Sequence, residues 1–134
     1  MPRMSKANFG VVILATMVIL FLAIPALAQE TPPIAGNYHV EGTNPNGSTY
    51  KGQATIEQTS VGYRMTWTIG GASHSGLGKM KDGRLVIHWQ GGGASGLVIY
   101  KRDASGVWHG VWGGPSTTDP SKMRGREILR PMTN

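Results

Sequence analysis

Tyr63-Arg-Met-Thr-Trp-Thr-Ile-Gly70-Gly71 is the stretch that decides the fold. Tyr63, Met65, Trp67 and Ile69 take every second position, and Arg64, Thr66 and Thr68 fill the gaps. An extended chain turns successive side chains to opposite faces. The alternation therefore predicts a strand with one apolar and one polar face. Gly70-Gly71 then offers two residues that accept positive φ, which a two-residue hairpin turn requires.

The same pattern continues in both directions. Upstream, Tyr50, Ala54 and Ile56 stand at even spacing against Lys51, Gln53, Thr55 and Glu57, and Tyr38 and Val40 alternate with His39 and Glu41. Asn44-Pro45-Asn46-Gly47 is a turn between them, and Thr59 to Gly62 is the next. Downstream, His74 to Met80 reads as a glycine-rich fourth strand, with Gly76 and Gly78 allowing a bend or bulge. Asp82-Gly83 is the strongest hairpin signal in the chain. Leu85, Ile87 and Trp89 form the inward set of a fifth strand, and Gly91-Gly92-Gly93 turns the chain again. Leu97 to Tyr100, Val107 to Trp112 and Arg124 to Leu129 complete the strands. The longest loop, Gly113 to Lys122, precedes the last of them.

No helical period is present. Eight short strands joined in order predict an all-β, eight-stranded antiparallel meander. Closing it into an up-and-down barrel removes the exposed edges. A β-sandwich is the alternative, since strand spacing does not separate the two. A barrel of eight strands has room inside for side chains or one small ligand.

The chain has 134 residues, and its first 28 have the three parts of a secretory signal. Arg3 and Lys6 make a positive start, Val11 to Ile24 is almost continuously apolar, and Ala26-Leu27-Ala28 puts small residues before a cut at Gln29. The apolar run is shorter than the about 20 residues a membrane span needs. The expected product is a periplasmic or secreted protein with no transmembrane span. It comprises a flexible leader over residues 29–35, one barrel domain over 36–131 and a short tail over 132–134.

That product is small enough to exclude a two-domain enzyme. Removing the signal takes two basic residues, leaving 11 basic against seven acidic side chains and a net charge of +4. This mild charge gives no reason to expect nucleic acid as a partner. The chain contains no Cys, which excludes disulfides, thiolate metal sites and a Cys nucleophile. Both Phe residues fall in the signal, so the mature part has four Trp and four Tyr as its aromatics. It keeps 19 of the 20 Gly, which read as turn residues.

The motifs that suggest chemistry lack the setting that chemistry needs. Gly91 to Gly96 matches G-x-G-x-x-G, yet the strand Leu97-Val-Ile-Tyr100 follows where a phosphate-binding helix is required. His39, His74, His88 and His109 are scattered; His88 and His109, on strands five and seven, come nearest to a convergent pair. No metal or cofactor is expected. Glu41, Glu57, Asp82, Asp103, Asp119 and Glu127 read as solvated carboxylates at turns and on polar faces. No catalytic motif is present, so an enzyme is only the third class of reading.

The aromatics are the candidate binding set: Tyr38, Tyr63, Trp67, Trp89, Trp108 and Trp112. They fill the core, in place of the missing Phe, or line a cavity for a small apolar or aromatic ligand. Arg124 and Arg126 point the same way on a strand and are the candidate contacts for a macromolecular partner, a protein or an anionic polymer. Exposed Trp108 or Trp112 would serve the same role.

Four stretches carry a resemblance. They are Gly36-Asn-Tyr-His-Val-Glu-Gly-Thr-Asn-Pro-Asn-Gly-Ser-Thr-Tyr-Lys-Gly52, Tyr63 to Gly70, Trp108-His-Gly-Val-Trp112 and Gly125-Arg-Glu-Ile-Leu129. Together they resemble a family of small exported bacterial β-proteins, mostly of uncharacterised function. The resemblance implies export and a β fold, and no activity. The glycine-rich meander with several Trp is also faintly similar to avidin-type barrels. The avidin polar ligand set has no counterpart in this chain, so biotin binding is not implied.

Overall fold

A computed structural model of the chain describes residues 31–133. The expected signal over residues 1–28 with its expected cleavage between Ala28 and Gln29, residues 29–30 of the expected leader, and Asn134 lie outside them. Eight strands follow in order: β1 (Gly36–Thr43), β2 (Thr49–Thr59), β3 (Gly62–Ile69), β4 (Ala72–Lys81), β5 (Arg84–Gly91), β6 (Ala94–Arg102), β7 (Trp108–Gly113) and β8 (Gly125–Pro131). Each pairs antiparallel with the next, and β8 pairs with β1 to close the barrel. The sandwich alternative is thereby excluded. β4 and β6 run longer than the expected His74 to Met80 and Leu97 to Tyr100, because Ala72, Ser73 and Lys81 in β4 and Ala94 to Gly96 with Lys101 and Arg102 in β6 continue the ladders.

Three turns are two-residue hairpins with both φ angles positive. Asp82 stands at φ 50° before Gly83 at 80°, and Gly70-Gly71 and Gly92-Gly93 repeat this geometry. Their backbone twist matches that of the flanking strands, which pins the register on both sides. The loop after β7 contains a short 3-10 turn, Pro120–Lys122. Its start is held by the Asp119 side chain, which accepts from the Ser121 N–H.

Alternation sorts each strand. Val40, Ala54, Ile56, Met65, Leu85, Ile87, Val98, Tyr100 and Leu129 meet inside, while Arg64, Thr68, His88 and Lys101 face out. An up-and-down barrel gathers alternate turns at one end. The β2–β3, β4–β5 and β6–β7 turns form one end, and here the interior is filled. Tyr38 is buried and donates to the Ile34 carbonyl at 2.6 Å. Arg102 lies over the Trp108 ring at 4.6 Å and donates to the carbonyls of Pro32 and Pro33. Residues 32–34 therefore form a strap across this end. The other end gathers the β1–β2, β3–β4, β5–β6 and β7–β8 connections and is not filled.

Not all the glycines are turn residues. Several sit inside strands, directly opposite an aromatic on the neighbouring strand. Tyr50 faces Gly42, Trp89 faces Gly96, Tyr100 faces Gly110 and Trp112 faces Gly125. A Cβ at any of these four glycines would fall within 2.6 Å of the facing ring. Each ring thus lies flat across bare backbone, a pairing that stabilises glycine within a sheet.

Candidate ligand-binding site

The unfilled end holds a cavity of about 190 Å³, lined by Asn44, Tyr50, Trp67, Ile69, His74, Trp89, Val98, Trp112 and Glu127. Most lining residues lie on strands close to a turn at this end; Asn44 lies within the β1–β2 turn and Val98 at the middle of β6. The rings brace one another edge to face. Trp89 and Trp112 have centroids 5.8 Å apart at 88°, Tyr50 and Trp112 6.5 Å at 63°, and His74 and Trp89 6.4 Å at 67°. These are the favoured geometries of aromatic pairs. The glycine seats beneath Tyr50, Trp89 and Trp112 give those rings their positions against the wall.

Glu127 is the acid of the site. It is 5% exposed and is the one charged residue in the core among the described residues. The expectation of a solvated carboxylate is corrected here. β8 presents Gly125, Glu127 and Leu129 inward and Arg126 and Arg130 outward, and Arg124, just before the strand, is exposed. Three donors from three other strands hold the carboxylate. Tyr50 Oη donates to Oε1 at 2.8 Å, Trp67 Nε1 donates to Oε2 at 2.9 Å, and Tyr100 Oη also donates to Oε2.

These groups shift each other's titration. Burial raises the Glu127 pKa above the ordinary carboxylate value, opposed by the bonds from Tyr100, Trp67 and Tyr50 and by a charge on His74. Burial, and then the Glu127 charge, push both phenols upward, so Tyr50 and Tyr100 remain donors at any physiological pH. The Trp112 N–H opposes the shift at Tyr50 but does not reach good hydrogen-bond geometry. Trp89 Nε1, Trp112 Nε1 and His74 Nδ1 are all buried without a hydrogen-bond partner. Three such atoms around one cavity depart from the usual pairing of buried polar groups.

The six aromatics proposed from sequence divide by height along the barrel. Trp67, Trp89 and Trp112 come together around the cavity. Tyr38, Tyr63 and Trp108 belong to the filled end. Trp108 is 1% exposed, which removes it as an exposed partner contact. Arg124 and Arg126 are exposed on the outer face, with Arg126 also bonded to the carbonyls of Met123 and Gly125. His88 and His109 both point outward with β6 between their strands, so the pair does not form. His109 instead meets Asp103 at 2.8 Å on the surface. Among the described residues no three His, Asp or Glu side chains group around a possible metal position. Sequence reasoning missed Tyr50, His74 and Glu127 as site residues.

In comparisons with known proteins, no family model matches this chain and no curated protein matches it.

Proposed function

We propose that this protein is an exported, non-catalytic binding protein that holds one small molecule in the end cavity of its barrel. The observation that carries this reading is the contrast between the two ends. One is packed and strapped, while the other keeps about 190 Å³ between four aromatic side chains and a buried carboxylate. Folding alone would favour filling that space, because interiors pack closely and voids cost stability. Rings set on glycine and braced edge to face supply a preformed apolar wall with few polar groups, the usual character of a small-ligand site.

The test is a native mass spectrum of the protein taken from its own exported fraction. The expected result is the mass of Gln29 to Asn134 plus an adduct that leaves on denaturation. A bare protein whose Trp emission also responds to no small molecule would overturn the reading. A surface role at Arg124 and Arg126, both exposed, is the rival. Reversing both charges leaves cavity binding intact on the present reading. Loss of partner capture from a periplasmic extract would favour the rival.

A further inference from the structure

Glu127 has three hydrogen-bond donors and no cation bonded to it. Tyr50, Trp67 and Tyr100 are all neutral. Among the described residues the two salt bridges, His109–Asp103 and Arg130–Glu41, lie on the surface. His74 also lines the cavity; its charge favours the ionised carboxylate from across that space without forming an ion pair. A carboxylate offers about four lone-pair sites. Two donors converge on Oε2 and one on Oε1, so the unused site belongs to Oε1. A charge withdrawn from water is costly unless an opposite charge faces it. The other walls of the same cavity are Tyr50, Trp67, Trp89 and Trp112, with Ile69 and Val98. Aromatic faces attract a cation within about 6 Å of the ring centre, and more strongly when it is desolvated.

Each half of this lining alone is permissive. Rings accept any apolar body, and a lone carboxylate accepts any donor. Combined, they select positive charge with an apolar skin, and Glu127 repels an anion. We infer, on the reading that this cavity is a ligand site, that it binds a small alkylated ammonium. The charged nitrogen sits toward Glu127, and its carbon skin lies among Tyr50, Trp67, Trp89 and Trp112. The size limit follows from the volume. A cavity of about 190 Å³ admits a small ligand and no large one.

The experiment titrates the mature protein with tetramethylammonium, choline and n-butylammonium, reading Trp emission and calorimetric heat. The controls are 3,3-dimethylbutan-1-ol, which replaces the choline nitrogen by carbon, and 3,3-dimethylbutanoate, its anionic counterpart. We expect at least one cation to bind about tenfold or more tighter than the neutral alcohol, with the anion not binding. Glu127→Gln removes that preference and brings the cation to the level of the alcohol. Should Glu127→Gln fail to fold, Trp89→Leu leaves the three donors to Glu127 in place and must weaken the cation more than the alcohol. Equal or tighter binding of the alcohol refutes the inference while the cavity reading stands. No binding by any of the five probes at about 1 mM also refutes it. Combined with a bare native mass, that result overturns the cavity reading as well.

Discussion

Replacing Tyr100 by Phe removes one oxygen from the buried centre of the barrel and tests whether Glu127 is held there as a charge. Tyr100 is fully buried, and its hydroxyl donates to Oε2. The space left is too small for water to restore the bond. A hydrogen bond to a charged group contributes about 1.5–3 kcal/mol, and a neutral one about 0.5–1.5 kcal/mol. Urea unfolding at about pH 8, followed by Trp emission, should therefore lose about 1.5–3 kcal/mol. With an m-value of about 1–3 kcal/mol/M, the midpoint falls by roughly 1 M. The cost also depends on pH. Burial raises the Glu127 pKa in the folded chain, so folding takes up a proton between the ordinary carboxylate pKa and the raised one. Wild-type stability thus falls as pH rises through that window and levels off above it. Removing a donor that favours the charged form lifts the native pKa further and extends the fall. The loss in Tyr100→Phe is then smaller at about pH 4, where the carboxyl is mostly protonated in both states, than at about pH 8. Tyr50→Phe is the comparison. Tyr50 is half-buried at the mouth, where water can replace its hydroxyl, and should cost about 1 kcal/mol or less. A Tyr100→Phe loss that is the same at both pH values, or no larger than that of Tyr50→Phe, would refute the reasoning.

Gly125→Ala should shift the Trp112 ring, since its Cβ would fall 2.2 Å from Cε2. The expected cost is about 1–3 kcal/mol, with loss of any cavity ligand, whereas Gly114→Ala, with nothing within 4 Å, should change neither. Thermal melting and ligand titration of both variants decide this. Arg102→Ala frees the strap from its two carbonyl bonds and uncovers Trp108. Limited proteolysis should cut residues 31–35 faster in that variant, and an unchanged cleavage rate would count against the strap. Trp108→Ala should cost about 3–5 kcal/mol as a core truncation. Trp89→Ala, at a wall already open, should cost clearly less by the same denaturation assay.

Strand order and the turns between strands were legible in the sequence, because alternation and turn residues are local signals; closure rests on the pairing of β8 with β1, and strand spacing alone left a sandwich open. The chemistry of the site was not, because it depends on partners far along the chain. Glu127 is the clearest case. Period-2 reading from Leu129 puts Glu127 and Gly125 on the inward face, with Arg124 and Arg126 outside. The face was readable, but what makes a buried acid tolerable is Tyr50, Trp67 and Tyr100 on β2, β3 and β6. No local pattern announces three such donors. The division of the aromatics had a usable signal. Tyr50, Trp67, Trp89 and Trp112 stand within a few residues of the turns at one end, and Tyr38, Tyr63 and Trp108 do not. Counting from alternate turns would have separated mouth from core. The glycines misled because composition does not distinguish a turn from a ring's seat. Only cross-strand register shows that Gly42, Gly96, Gly110 and Gly125 each lie under an aromatic.

The antiparallel closure of β8 on β1, with Tyr38 opposite Pro131, has a consequence for orientation. An even number of strands brings the chain in and out at the same rim, the one crossed by the strap. The mouth is therefore at the opposite pole from both points of attachment. A tag, a fused neighbour or a surface joined at either end of the domain leaves the aromatic opening facing solution. This small barrel can be tethered from below without being corked.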